Sequence, residues 1–130
     1  MARSNQYTKT NEDALHGAPI GEFTIEVDLA TIGATKEIQI HDIFSIHAKT
    51  VSCQVVATSL TGTLDGTVQL TQSNDEENFD DITPSVTTLD AANKHDTLEK
   101  VDFSGKILGA TIAKVGLTGG TVKLVFIVKH

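Results

Sequence analysis

The chain has 130 residues, of which 39% are hydrophobic and 5% aromatic, and it carries a formal net charge of −7. This length and composition predict one globular domain that buries about two-thirds of the surface of its unfolded chain, so its core needs neither disulfides nor metal. The acidic charge, with lysines scattered along the sequence, argues against nucleic-acid binding through a basic patch.

A single cysteine, Cys53, excludes an internal disulfide and a cysteine-rich zinc site. Because it lies in an alternating apolar run, we expect a small buried side chain there rather than a reactive thiol. The first residues lack the apolar stretch of a secretory signal, and no segment approaches the ~20 apolar residues of a membrane span. We therefore expect a soluble protein that is made in a cytoplasm and contacts no membrane.

Residues 1–20 are polar and show no periodicity, whereas residues 21–130 show the alternation of a β-rich domain. The first segment is either a disordered tail or an arm that becomes ordered on a neighbouring subunit. Its candidate contact residues are Tyr7, Leu15 and Ile20. If it is an arm, deleting residues 1–20 should leave the domain folded but weaken its incorporation into an assembly.

Alternating apolar and polar residues predict strands over residues 23–29, 37–41, 50–58 and 67–71. The apolar residues Ile43, Phe44 and Ile46 either extend the second strand past a bulge or begin a short helical turn. Asp65-Gly66, between two β-prone runs, predicts a tight hairpin.

The second half of the chain continues the pattern. Residues 73–78 predict a turn, followed by Phe79 and Ile82 as core residues. Further strands are expected over residues 86–89, 106–115 and 121–129, with a polar loop over 90–96 and a glycine-rich hairpin over 116–120. Leu98, Val101 and Phe103 are expected to place their side chains in the core. The last strand is apolar on both faces, so Val125 and Ile127 are expected to be covered by a partner unless that strand is central.

Seven to nine short strands without a long amphipathic helix predict an all-β fold: an antiparallel β-sandwich of the jelly-roll kind, forming a single domain with an extended N-terminal arm. The two expected hairpins are the reason for an antiparallel arrangement.

No motif points to catalysis or to a cofactor. The acidic cluster of residues 75–81 does not have the spacing of an EF-hand loop, and we expect a solvated loop there, with cation binding left open. The five histidines lack the spacing of a metal site, and no nucleophile motif of the G-x-S-x-G type is present. We expect a protein that is not an enzyme and has no cofactor, and we predict no metal site apart from the open case of this acidic cluster.

The segment from Gly62 to Ile82 resembles a pattern found in bacteriophage virion β-sandwich structural proteins. The matching residues are Gly62, Gly66, Val68, Leu70, Ser73, Asn74, Asp75, Phe79, Asp81 and Ile82. Glu76 stands where the pattern usually has glycine. Downstream, Gly105, Lys106 and Leu108 and the pair Gly119-Gly120 follow the same pattern, with Ile107 in place of an aromatic residue.

The resemblance implies a β-sandwich that serves as a head auxiliary or decoration protein, or as a connector, tail or fibre component. It further implies a virion location, other capsid, connector or tail subunits as partners, and repeated copies that form a homo-oligomer. The alternative is a carbohydrate- or surface-binding module on the same sandwich, although the chain has one tyrosine and no tryptophan for stacking on sugars.

Overall fold

The computed structural model describes residues 19–40 and 50–129. Its strands are β1 (Pro19–Asp28), β2 (Thr35–Ile40), β3 (Thr50–Gly62), β4 (Gly66–Ser73), β5 (Asp80–Leu89), β6 (Lys94–Lys100), β7 (Ile107–Ala113) and β8 (Leu117–Lys129). A single 3-10 turn, Leu29–Thr31, follows β1 and is capped by the Asp28 carboxylate, which accepts from the Ala30 amide at 3.0 Å. The expected all-β fold is confirmed, and β1 begins at Pro19, inside the segment expected to be the arm.

The strands form two four-stranded sheets, ordered β1-β8-β3-β6 and β2-β7-β4-β5. We call them the β8 sheet and the β7 sheet, after a central strand of each. Every ladder is antiparallel. Among these strands, only β4 and β5 are both consecutive in the chain and paired in a sheet. Every remaining connection crosses from one sheet to the other. This order is that of an eight-stranded jelly roll.

The two hairpins expected from sequence are wrong, because their strands lie in different sheets. Asp65-Gly66 leads from β3 in the β8 sheet to β4 in the β7 sheet. The Asp65 carboxylate accepts from the Gly116 amide at 2.7 Å, which ties this connection to the one between β7 and β8. Gly119 and Gly120 lie within β8, where β3 and β8 shift register, and Gly120 has a φ of +114°. The Asp-Gly signal therefore marked a bend between sheets, not a two-residue hairpin.

The core lies between the two sheets and is mostly aliphatic. On β8, Val122, Leu124, Phe126 and Val128 are fully buried, and the residues between them face outward. Cys53 lies opposite Phe126 and is also fully buried, as expected. Burial raises the pKa of its thiol to about 12, which keeps it protonated and unreactive at neutral pH.

β5 is longer than the sequence suggested, and β6 was not predicted as a strand. The expected loop over residues 90–96 ends at Lys94, where β6 begins as a charged edge strand paired with β3. β5 begins at Asp80, and the Gln69 amide donates to the carbonyls of Ile82 at 2.8 Å and Ser85 at 3.1 Å across a register shift. Hydrogen bonds between strands thus hold these polar sequences in extended form, although the local sequence pattern alone assigns them to loops.

Ile82 is buried, as expected, but two other residues expected in the core are not. Val101 is 57% exposed. Phe79 is half-buried on the outer face of the β7 sheet, where its ring covers Gly109. Gly109 lacks a side chain on the outward face of β7, and that gap is what lets the ring approach the backbone.

Candidate interaction surface on the β8 sheet

The outer face of the β8 sheet carries the two apolar residues that sequence analysis singled out on the last strand. Val125 and Ile127 lie on β8 and point away from the core, and both are half-buried by their neighbours in the sheet. β8 is paired on both sides, with β1 and β3, so these residues lie in the middle of the sheet. The prediction that the last strand is apolar on both of its faces is confirmed. The sequence left two explanations open for that pattern, a covering partner or a central position in the sheet, and β8 does lie in a central position.

Strand pairing brings a third apolar residue, Val56, to this face. Val56 lies on β3 opposite Lys123 of β8 and is half-buried. We call Val56, Val125 and Ile127 the apolar strip. The sequence did not single out Val56 as a contact residue. The alternation in residues 50–58 placed it only on the polar side of its strand. Only the β3–β8 register brings it near the other two.

Polar and charged residues surround the apolar strip, and Val56 lies between Lys123 of β8 and His95 of β6. Glu22 and Ser52 flank Ile127 from β1 and β3, and Thr24 and Gln54 flank Val125 in the same way. An apolar centre within a polar rim is the usual anatomy of a protein contact surface. The whole face, with about eight residues on each of four strands, covers on the order of 500 Å² in projection at strand spacings of ~4.8 Å and rises of ~3.4 Å per residue.

The structure places only some of the predicted contact residues. Tyr7 and Leu15 lie outside the described residues. Ile20 lies in β1, at the register shift between Pro19 and Gly21. Val125 and Ile127 share one face, as described above, and their role as interface residues stays a prediction.

The acidic loop between β4 and β5 is held by its own side chains. The Asp75 carboxylate accepts from the amides of Glu77 at 2.9 Å and Asn78 at 2.8 Å, and from the Asn78 side chain at 2.7 Å. These donors hold the pKa of the Asp75 carboxyl well below its usual range. The carboxylate is therefore engaged in shaping the turn.

Two further contacts connect this loop to the start of β7. The Asn74 side-chain carbonyl accepts from the Lys106 amide at 2.9 Å, and the Lys106 ammonium lies 3.1 Å from the Glu76 carboxylate. Glu76 has a φ of +69°, in the left-handed region that favours glycine. The pattern described in the sequence analysis usually has glycine at this position, and the left-handed backbone of Glu76 is a conformation that glycine adopts readily.

Within residues 19–40 and 50–129, no group of three histidine, cysteine or acidic side chains is arranged to hold a metal ion. His95 lies on β6 opposite Val56, whereas His16, His41, His47 and His130 lie outside the described ranges. Across those same ranges, no helix is long and apolar enough to span a membrane.

Aromatic side chains in the described part of the chain are phenylalanines. Phe23, Phe103 and Phe126 are at most 6% exposed. Phe79 is half-buried over Gly109. None of the four therefore forms an exposed platform on the outer face of the β8 sheet.

No protein-family model matches the chain, and no curated protein matches it. Solved structures with a similar fold include a CBM4 structure, 15% identical with a TM-score of 0.49 over 89% of this chain and 74% of that one. The xylan-binding module CBM15 is 9% identical with a TM-score of 0.45, covering 98% and 94% of the two chains. The SPBc2 prophage-derived protein YomS is 8% identical with a TM-score of 0.43, covering 83% and 95%. At these identities the likeness concerns the fold, and TM-scores below 0.5 carry no argument about function.

Proposed function

We propose that this chain is a non-enzymatic structural protein of a bacteriophage particle, a head auxiliary or decoration protein or a connector or tail component. It docks on neighbouring virion subunits, including copies of itself, through the outer face of the β8 sheet. The observation that carries the proposal is the apolar strip, which lies on the two central strands β8 and β3 and is surrounded by polar and charged residues. The protein is made in the host cytoplasm and ends in the virion.

The way in which the loops are held supports a structural role. Asp65 and Asp75 each bind backbone amides of their own chain, and Asn74 accepts from the Lys106 amide. These side chains fix the connections between strands. A module with fixed loops presents the same surface in every copy, which a repeating lattice requires.

The direct test is quantitative mass spectrometry of purified particles produced by the source organism or its viruses. The proposal expects this chain in many copies per particle, and its abundance separates a head lattice from a tail ring. Recovery of the chain only in the soluble fraction, with none in particles, would overturn the proposal.

A variant test addresses the surface itself. Val125→Lys places a cation in the centre of the strip, between the neutral side chains of Thr24 and Gln54, where a docked partner would bury it. Incorporation into particles should fall at least about tenfold, because buried unpaired charges cost several kcal/mol. The matched control is Thr111→Lys, at a half-buried outward position on the central strand β7 of the other sheet. Circular dichroism would verify that both variants remain folded, and equal incorporation of both would refute docking through this face.

The alternative drawn from sequence, a carbohydrate- or surface-binding module, is not favoured by any described feature. Sugar binding on a sheet face commonly uses exposed aromatic rings, and the described phenylalanines lie in the core or over Gly109. Binding to a glycan array at micromolar concentration, together with absence from particles, would reverse this preference.

A further inference from the structure

Charged residues on the outer face of the β8 sheet are separated by strand. In the described part of the chain, the carboxylates of this face lie on its two edge strands: Glu22, Glu26 and Asp28 on β1, and Glu99 on β6. The ammonium groups of the face belong to Lys123 and Lys129, and both lie on the central strand β8. The apolar strip therefore has an acidic flank on each side.

The flanking carboxylates are placed where a partner would meet them. Glu22, Glu26 and Glu99 are exposed, and the ion pairs formed within residues 19–40 and 50–129 use other carboxylates. Glu22 and Glu99 lie in one row across the sheet, with Ile127 and Ser52 between them. The strand order puts three strand spacings of ~4.8 Å between them, or about 14 Å. A complementary partner must therefore carry positive charges on both sides of the strip.

The outer face of the β7 sheet combines acidic edges with a polar centre. Its edge strands β2 and β5 carry the exposed carboxylates Glu37 and Asp81. Its centre holds Thr111 and Gln69, which are paired between β7 and β4. That face has the charges of the β8 sheet without its apolar strip, so it supplies matched control positions.

A second copy of the same face fits it poorly. If two apolar strips pack on each other with their strands aligned, the two-fold axis runs either along the strands or across them. An axis along the strands places β1 over β6 of the other copy, so Glu22 faces Glu99. An axis across the strands places β1 over β1, so Glu22 faces Glu26. By symmetry each like-charge pair occurs twice, and like charges across an interface oppose binding.

We propose that the outer face of the β8 sheet binds a basic surface of a different virion subunit, one that carries lysine or arginine on both sides of an apolar ridge. The ridge covers Val125 and Ile127, and the basic side chains pair with the carboxylates of β1 and β6. This inference rests on the proposed function and narrows it, because among the neighbouring subunits it assigns this face to a different protein and leaves contacts between copies to other surfaces.

The sign of the partner's charge can be tested at Thr97, an exposed residue on this face of β6. In competition with the wild-type chain, Thr97→Glu should raise incorporation into particles and Thr97→Lys should lower it, with about a fivefold difference between the two variants. Peptide mass spectrometry of purified particles gives both ratios. The matched control is Thr88, an exposed outward residue on edge strand β5 of the other sheet, where glutamate and lysine should be incorporated equally. A gain of incorporation cannot result from a loss of stability.

Reversing both flanks tests the same contact more strongly. Glu22→Lys with Glu99→Lys should lower incorporation by about tenfold, because two attractive pairs become repulsive. Glu37→Lys with Asp81→Lys makes the same change in charge on the edges of the β7 sheet and should leave incorporation unchanged. Circular dichroism verifies that both double variants are folded.

The exclusion of a second copy has its own measurement. Sedimentation equilibrium of the purified full chain and of its Val125→Lys variant should give the same association state, because no copy of this chain covers the strip.

Two outcomes would overturn the inference. One is equal incorporation of Thr97→Glu and Thr97→Lys together with full incorporation of the flank reversal, and the other is a dimer of the purified chain that Val125→Lys dissociates. Both are distinct from failure of the proposed function. The proposed function fails if the chain is absent from particles, whereas these outcomes would be found with the chain present in them.

Discussion

Replacing Gly109 by alanine would place a methyl group in a space that three other groups already fill. A Cβ built on Gly109 lies 2.6 Å from the Thr71 hydroxyl oxygen, 2.8 Å from the Ile38 carbonyl oxygen and 3.2 Å from the Phe79 ring. Because the Ile38 oxygen belongs to the backbone of the adjacent strand β2, it cannot move away by a change of rotamer. The new methyl group must therefore push β2, β4 and the Phe79 ring away from β7.

Overpacking of this kind destabilises proteins by about 1–3 kcal/mol. For a domain of this size that corresponds to a fall in Tm of about 3–12 °C. The matched control is Gly33→Ala, since a Cβ at Gly33 meets nothing within 4 Å, and its effect should stay within about 0.5 kcal/mol. Urea unfolding followed by circular dichroism gives both values.

A second variant separates the side-chain clash from the backbone clash. Thr71→Ala removes the hydroxyl nearest to the new methyl group, so Gly109→Ala should be less destabilising in that background, while the contact with the Ile38 oxygen preserves part of its effect. If Gly109→Ala were as neutral as Gly33→Ala, the close approach of Phe79 to this strand, and the packing derived from it, would be refuted.

Two further predictions concern titratable groups. Because its pKa is depressed in the folded state, the Asp75 carboxylate contributes stability that is present above its unfolded pKa of ~3.9 and is lost as pH falls below that value. Asp75→Asn should therefore lower stability at pH 7 and flatten the loss of stability in acid, as measured by Tm from pH 7 to 2; an unchanged acid profile would contradict this role. With its pKa raised to about 12, the Cys53 thiol should not react with Ellman's reagent in the native protein and should react fully in denaturant, so rapid native labelling would contradict its burial.

Several features followed from the sequence because they depend on neighbouring residues only. The alternation in residues 121–129 assigned Val122, Leu124, Phe126 and Val128 to one face and Val125 and Ile127 to the other, as the structure has them. Side chains of successive strand residues point to opposite faces whatever the partner strands are, so the sequence determines this assignment. The turn at Ser73–Asn78 was likewise identified from its Ser-Asn-Asp composition, because the side chains of Ser73 and Asp75 bind backbone amides within the same loop.

Only the tertiary structure decided which strands pair. The alternating pattern states which side of a strand faces the core but not which strand lies beside it, so Asp65-Gly66 was taken for a hairpin although it joins two sheets. Val56 and Val125 are far apart in the sequence and meet on one face through the β3–β8 register. The sequence determined which residues lie on each face of a strand, because successive side chains of an extended backbone point to opposite sides. Which strands pair depends on the packing of one sheet on the other. That packing must bury all the apolar faces at the same time, so it depends on the whole chain.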